Sequence, residues 1–212
     1  MERSLIIGAS GGIGAALVAS AAGDVVGLSR SVDELDLMDE ASIRRVLGGV
    51  DGVFDRIVIA TGALGVPEKS LVAMDSVAMA DVFAVNAIGP AMVLREVPRL
   101  LAPAGRVAVL SARVGSIGDN QIGGWHSYRA SKAALNQIVR GAAIELSRTH
   151  KGSICVALHP GTVATPFTAK YAGHHRTVSA DEAAANLWRV IEALSPDQTG
   201  GFFDYAGEVV PW

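Results

Sequence analysis

The chain has 212 residues, half of them hydrophobic, with 24 glycines and only 18 % charged residues. That length suits one domain, and the composition can bury a large core and is far from that of a disordered chain. A net charge of −3 and a pI near 5.9 argue against nucleic acid or an anionic membrane surface as partner. Cys155 is the only cysteine, so an internal disulfide is excluded, and its apolar neighbours Ile154, Val156, Ala157 and Leu158 point to an inert core thiol.

In chain order, Ser4-Leu5-Ile6-Ile7 reads as a short apolar strand, and Gly8-Ala9-Ser10-Gly11-Gly12-Ile13-Gly14 turns it into a helix through Ala22. Arg3 before this stretch and Ala19-Ser20-Ala21 at its end imitate a secretory signal. Gly8, Ser10, Gly11, Gly12 and Gly14 break its apolar centre, however, and need another explanation. Val25 to Leu28 is a second strand, ending at Ser29-Arg30-Ser31. Leu35-Asp36-Leu37 follows so soon that the intervening crossover helix must be missing or a single turn. Ala41 to Leu47 reads as a helix, and Arg56 to Ala60 as a buried strand closed by Thr61-Gly62. A long helical region covers about Val72 to Leu101, with a kink expected at Gly89-Pro90. Pro103-Ala104-Gly105 reads as a turn, Val107 to Leu110 as a strand and Ser111 to His126 as a loop. A helix, a strand from Ile154 to His159, a loop opening with Pro160-Gly161, a helix from Asp181 to Leu194 and a last strand at Gly201 to Asp204 complete the chain. Continuous apolar strands alternating with amphipathic helices describe an α/β fold, a doubly wound parallel sheet covered on both faces. With no linker, repeat or low-complexity tract, residues 1–212 read as one domain. No other stretch offers eighteen consecutive apolar residues, so the expectation is a soluble, cytoplasmic protein.

A strand, a glycine loop and a helix in succession make a phosphate cradle. Glycines let backbone N–H groups approach a pyrophosphate, and the helix N-terminus adds a favourable dipole. Gly8-Ala9-Ser10-Gly11-Gly12 also fits the G-x-S-x-G elbow of a hydrolase nucleophile. That elbow needs several strands before it, and only seven residues precede Gly8. A P-loop fails as well, because Ile13-Gly14 stands where Lys-Ser/Thr is required.

Past Ala133, the apolar positions Leu135, Ile138, Val139, Ala142 and Leu146 recur at helical spacing, with no proline through Thr149. Tyr128 and Lys132 therefore stand at i and i+4 near the start of one helix, their Cβ atoms about 5–6 Å apart. A free phenol titrates near pH ~10 and is a poor proton shuttle at neutral pH. A neighbouring ammonium favours the phenolate and pulls its pKa down. The competing account is a buried tyrosine beside a solvated lysine.

With these elements placed, the chain resembles the short-chain dehydrogenase/reductase family almost from end to end. Gly8, Gly12 and Gly14 fit its Gly-x-x-x-Gly-x-Gly cofactor loop, with Ser10, Gly11 and Ile13 between them. Ala60-Thr61-Gly62 resembles its Asn-Ala-Gly motif, with alanine where asparagine is usual, and Asp36-Leu37 fits the pair that borders the adenine. Asn86 fits its helix asparagine, Tyr128 and Lys132 its catalytic pair, and Pro160-Gly161-Thr162-Val163-Ala164-Thr165 its Pro-Gly motif beside the nicotinamide. The small size and the insertion from Gly115-Ser116-Ile117 to Gly123-Gly124-Trp125 resemble the sniffer-like or C-factor-like carbonyl reductases of that family. The resemblance implies a Rossmann fold, a nicotinamide cofactor and hydride transfer to a carbonyl, or from the alcohol. Tyr128 would act as general acid, Lys132 would hold the nicotinamide ribose, and Asn86 would sustain a water relay or simply satisfy helix backbone. Loops at about 111–127 and 160–178 would build the substrate site, with a lid at Pro166 to Val178. Family members place a catalytic serine three residues before a glycine. Counting back from Gly115 puts Ala112 there, which leaves Ser116, then Ser111, as substitutes, or no serine at all.

At the end of the second strand, where NAD-binding chains place a carboxylate for the ribose, this one offers Ser29-Arg30-Ser31, which predicts NADP(H) in preference to NAD(H). Relatives commonly assemble through the long helix and the Tyr128 helix, so a homodimer or homotetramer is expected. His174-His175 lacks a third ligand at a useful spacing, so no metal is expected. His159 borders either the cofactor or only the fold, and Trp125 and His126 wall the pocket or simply pack. The alternative function is an NADP(H)-binding signalling or redox-sensing protein with little turnover.

Overall fold

In the computed structural model, which describes residues 1–165, 168 and 177–212, six strands form one parallel sheet. They are β1 (Arg3–Ile7), β2 (Asp24–Leu28), β3 (Phe54–Ile59), β4 (Leu101–Leu110), β5 (Ile154–His159) and β6 (Phe202–Asp204), lying side by side as β2-β1-β3-β4-β5-β6. Successive side chains of a strand point to opposite faces. Leu5, Ile7, Ile57 and Ile59 join Val107 and Val109 on one face, packed with Ile43, Val93, Val97, Leu135 and Val139. Ile6, Val58, Ala108, Val156 and Leu158 meet Leu17, Leu187 and Ile191 on the other. Both faces are buried, which is why the strands are apolar throughout rather than alternating.

The covering helices are α1 (Gly12–Ser20), a single turn α2 (Arg30–Asp33), α3 (Glu40–Gly48), α4 (Ser76–Phe83), α5 (Gly89–Leu100), α6 (His126–Thr149) and α7 (Ala180–Ala193). α2 is the shortened crossover that the spacing of the second strand predicts. Chain direction across the sheet reverses between β1 and β3, and in such folds the crevice beyond the strand ends there is the ligand site.

Two elements differ from the sequence reading. The long helical region begins at Ser76, where Asp75 caps the Ala78 N–H at 2.8 Å. Its irregularity is a π-turn over Ala84–Ile88, placed just before the expected kink. Pro90 has no N–H to offer the carbonyl four residues back, and the Gly89 N–H bonds the Ala84 carbonyl instead. The expected turn at Pro103-Ala104-Gly105 lies inside β4 as a bulge. Phe54 pairs with Leu101 but Arg56 with Arg106, and Ala104 takes a φ of 57°. By length and composition alone, Ser76–Leu100 is apolar enough to cross a membrane. Its Val82, Val93, Leu94, Val97 and Leu100 are buried, while Val77 and Ile88 are exposed.

Candidate active site

The glycine loop closes the crevice at the end of β1. Gly8 and Ala9 donate to the Leu28 carbonyl at 2.8 and 3.0 Å, tying the loop to β2. Gly8 takes a φ of +93°, a conformation open to glycine, and a Cβ on Gly14 would run into the Gly8 carbonyl. A Cβ on Gly12 would lie 2.7 Å from the Thr165 methyl, so this glycine brings the loop against the segment after β5. A cavity of about 370 Å³ opens over Gly8, Ser10 and Gly11 and continues past Ser29, Arg30, Asp36 and Leu37 to Ala60, Thr61 and Gly62. Thr61 Oγ1 is buried beside it without a hydrogen-bond partner among the described residues. A pocket that starts on a helix N-terminus, follows a glycine loop and continues past the ends of β1, β2 and β3 fits a dinucleotide.

At the β2 end, the Asp33 carboxylate turns back to accept from Ser29 N at 2.8 Å, while Ser29 Oγ accepts from Val32 N at 3.3 Å. Asp33 does not line the cavity; exposed Arg30 and Ser31 do. Among the described residues Arg30 makes no ion pair. Gly89 sits so close to Leu37 that a Cβ would meet Leu37 Cβ at 2.6 Å. The π-turn thereby supports the Asp36-Leu37 wall.

Tyr128, Lys132 and Asn86 are all buried, at 7 %, 3 % and 0 % exposure. Lys132 Nζ donates to the Leu110 carbonyl at 2.9 Å. Asn86 Oδ1 accepts from Ala63 N at 2.7 Å, and its Nδ2 donates to the Ala63 carbonyl at 2.8 Å and to Ser131 Oγ at 3.0 Å. Asn86 thus clamps the loop after β3 onto α6, with Ser131 Oγ donating on to the Tyr128 carbonyl at 2.8 Å. A Cβ on Gly62 would lie 3.4 Å from Asn86 Oδ1 and 3.6 Å from Lys132 Nζ, so glycine leaves the approach to the lysine open. The sequence reading expects Lys132 to depress the phenol pKa, and the buried pair departs from that. Desolvation, which disfavours whichever form is charged, raises Tyr128 above its ordinary value and pushes Lys132 down to about 7.

The two serines have local work. Ser111 Oγ donates to Asn136 Oδ1 at 2.6 Å beneath α6. Ser116 Oγ accepts from Asp119 N at 3.1 Å within its own loop. Ser116 also lines a second cavity, of about 410 Å³, together with His126, Arg129, Ala130 and Ala133. Those helix positions fall on a different stripe of α6 from Tyr128 and Lys132. Ala112, two residues past β4 and just before the 113–115 turn, is extended and supplies no side-chain donor. The Trp125 and Tyr128 rings pack edge to face, with centroids 6.2 Å apart.

On the β5 side, Pro160-Gly161 leads to Val163, which bridges to Val178. Ala164 N donates to the Val178 carbonyl at 2.9 Å and Val178 N to the Thr162 carbonyl at 3.0 Å. Gly161, with a φ of +81°, packs against the Tyr205 ring. His159 is pushed down to about 4 by burial, and its Nδ1 is buried without a partner among the described residues. Most of the expected lid, and both His174 and His175, lie outside the described residues.

Glu68 was not legible in the sequence. Buried at 8 % exposure, its carboxylate accepts from the hydroxyl and the backbone N–H of Ser127, the latter at 3.3 Å to each oxygen. Its backbone carbonyl accepts from Trp125 N at 2.6 Å. Burial raises the Glu68 pKa, but these bonds and the nearby His126 outweigh it and hold the carboxyl below its ordinary value. The one available signal was negative: a helix that starts after Gly-Gly-Trp has no capping side chain at its N-cap.

A family model described as enoyl-(acyl carrier protein) reductase, within the short-chain dehydrogenases, matches residues 12–199. This chain belongs to the short-chain dehydrogenase/reductase family. The dehydrogenase/reductase is 40 % identical over 141 residues to C-signal of Myxococcus xanthus, covering 66 % of this chain and 81 % of that protein. It is 38 % identical over 128 residues to 1-hydroxy-2-glutathionyl-2-methyl-3-butene dehydrogenase of Rhodococcus sp. strain AD45, covering 60 % of this chain. That match spans only 56 % of the Rhodococcus protein's length. Among solved structures, carbonyl reductase Sniffer of D. melanogaster superposes with a TM-score of 0.86 at 22 % identity, over 100 % of both chains. The NADPH-bound carbonyl reductase from chicken fatty liver gives 0.84 at 22 % identity, over 100 % of this chain and 94 % of that one. At such identities the structures establish the fold that this dehydrogenase/reductase shares.

Proposed function

We propose that this short-chain dehydrogenase/reductase transfers a hydride between NADP(H) and a small carbonyl or alcohol, with Tyr128 as proton donor to the carbonyl oxygen. The observation that carries the reading is that buried Asn86 and Lys132 stand directly behind Gly62, a residue of the cavity that Arg30 also lines, with Tyr128 one helical turn before Lys132. When bound, the cofactor supplies the hydride. The Gly8–Gly14 loop would hold its pyrophosphate, Arg30 its 2′-phosphate, and Asp36 and Leu37 its adenine. The 162–165 segment would lie against the nicotinamide. Burial keeps Tyr128 protonated, the form needed to quench a developing alkoxide. Lys132 stands one helical turn on, its Nζ aimed at the β4 end, where a ribose hydroxyl would complete its hydrogen bonds. Asn86 would serve as the clamp that holds the loop after β3 onto α6 beside Lys132, and a water relay behind the lysine would be additional to that role.

A second reading, an NADP(H)-binding signalling or redox-sensing protein with little turnover, is favoured by one observation. Ala112 stands where a substrate-binding serine is expected, and the nearby serine hydroxyls are engaged elsewhere. One assay separates the two: a panel of aldehydes and ketones followed by loss of NADPH absorbance, with NADPH affinity measured in parallel. Turnover supports the reductase; tight NADPH binding without turnover across the panel supports the sensor.

A further inference from the structure

Helix α6 carries both residues of the proposed proton-transfer pair, yet it begins in an unusual way. Gly123, Gly124 and Trp125 take φ values of 69°, 64° and 52° in succession, and Trp125, the N-cap residue, has no side chain that can cap. A bulky residue in the left-handed region is strained and persists only when its surroundings hold it. What holds it comes from far away in the chain. Glu68 takes Trp125 N on its carbonyl, and Ser127 N and Ser127 Oγ on its carboxylate. Ser127 N is one of the donors that every helix start leaves unpaired, so a residue in the loop after β3 supplies the missing cap.

Tyr128 is the next residue along, and Lys132 follows one turn later with contacts to a different part of the fold. Its Nζ is held by Leu110, and its Cβ and backbone carbonyl pack on Gly115, where an added Cβ would lie 2.8 and 2.9 Å from them. The two turns thus have different outside supports: β4 and the 113–115 turn hold the second, and Glu68 holds the start of the first, with Ser131 Oγ on the Tyr128 carbonyl linking them. We propose that Glu68 is the positioning residue for Tyr128, setting the first turn of α6 so that the phenol meets the carbonyl oxygen of a substrate bound beside the nicotinamide. The inference rests on the reading of Tyr128 as the proton donor.

It is tested with Glu68→Ala and Glu68→Gln, each made alone and combined with Tyr128→Phe. The measurements are single-turnover carbonyl reduction at high enzyme concentration, NADPH Kd, and amide hydrogen exchange of the protein without cofactor. Misplacing a reacting group by an ångström costs about 10²-fold. Glu68→Ala is accordingly expected to lower kcat by about that factor, with NADPH Kd changed less than about two-fold because Lys132 stays in place. Exchange protection should fall at 126–130 and persist beyond Lys132. Glu68→Gln keeps one acceptor oxygen for Ser127 and is expected to lose less than about ten-fold. In the Tyr128→Phe background neither change should slow the residual reaction further, since no acid remains to be misplaced. Equal losses in both backgrounds would mean a general structural role and overturn the proposal, as would full activity of Glu68→Ala. Should Glu68→Ala fail to fold, Glu68→Gln carries the same cycle, and a loss confined to the tyrosine background is still the required result. If Tyr128→Phe itself keeps wild-type activity, the reading of Tyr128 as acid fails and the inference falls with it. That outcome is distinct from an essential Tyr128 beside a silent Glu68.

Discussion

Lys132 Nζ lies 2.9 Å from the carbonyl oxygen of Leu110, at the tip of β4, one helical turn beyond Tyr128. The strand end thus holds the ammonium in a site that strips water from both members of the pair. Tyr128→Phe retains the ring and its packing on Trp125 but removes the proton. It is expected to lower kcat about 10²–10⁴-fold with NADPH affinity near wild type. Lys132→Ala is expected to weaken both turnover and NADPH binding. Titration of NADPH by fluorescence alongside single-turnover rates separates the two effects, and a phenylalanine variant with most of its activity would refute the mechanism.

Burial of the lysine also has a stability consequence. Its pKa, 10.5 when free, is pushed down to about 7 by desolvation. Below pH 7 the folded protein carries the full cost of a buried charge. As pH rises from about 7 towards 10.5, the unfolded chain holds more protons than the folded one, and stability rises. Cys155, raised to about 12 from 9.0 by burial, works in the opposite direction above pH 9. The lysine is therefore visible between pH 7 and 9, where it contributes up to ~2–3 kcal/mol. Urea unfolding without cofactor should show wild type gaining stability across that window. Lys132→Met should show a flatter profile and be the more stable of the two at pH 6.

The nucleotide prediction rests on which charge faces the cavity. Asp33 is spent on Ser29 N, while Arg30 lines the pocket with its guanidinium in no ion pair among the described residues. A guanidinium can engage a 2′-phosphate bidentately. Arg30→Ala is expected to weaken NADPH binding at least ten-fold and leave NADH nearly unchanged, as read by calorimetric titration of both. Equal affinities in the wild-type protein would defeat the expectation.

The parts of this molecule that were legible in the sequence are those written in local pattern. Uniformly apolar strands such as Ser4–Ile7 and Ile154–Leu158 announced a doubly covered sheet, and the glycines of 8–14 announced a cradle. The short step from Leu28 to Leu35 announced the single-turn crossover. The misses are long-range or environmental. The π-turn depends on Pro90 together with the close approach of Gly89 to Leu37 across the fold. β4 absorbs Pro103-Ala104-Gly105 because Phe54 finds a partner at Leu101. The cap on α6 comes from Glu68, 59 residues before Ser127. The opposing pKa shifts of Tyr128 and Lys132 follow from desolvation, which no i, i+4 spacing reports.

Assembly is the fourth expectation. Of the small residues on α6, Ala143 is buried in the core and Ala142 packs against it. Gly141 is exposed with open space around it, Ile144 is 47 % exposed, and Ala130 and Ala133 line the open cavity of about 410 Å³. A self-association through this outward stripe is expected to give a homodimer or homotetramer at micromolar concentration in sedimentation velocity. Ile144→Arg, placing a charge on the stripe, should shift it to monomer without changing the far-UV spectrum. A monomeric wild-type protein would reject the expectation.

The last expectation concerns Ala112. A hydroxyl at the end of β4 would hydrogen-bond the substrate oxygen beside Tyr128, and its absence in a dry site costs on the order of 1–3 kcal/mol. Ser116 stood first as a substitute in the sequence, yet its hydroxyl accepts from Asp119 N and its loop borders the cavity on the other stripe of α6. Ser111, just past β4, spends its hydroxyl on Asn136 Oδ1 of α6 at 2.6 Å. Tyr128 is then left to meet the oxygen alone. Three variants decide it. Ser116→Ala and Ser111→Ala should each change kcat/KM by less than about three-fold, the loop and the helix contact absorbing the loss. Ala112→Ser should raise it by about ten-fold, equivalent to about 1.4 kcal/mol of added transition-state stabilisation. A ten-fold loss in Ser116→Ala with NADPH affinity unchanged would instead return that serine to the reacting oxygen, and would require its loop to rearrange when substrate binds.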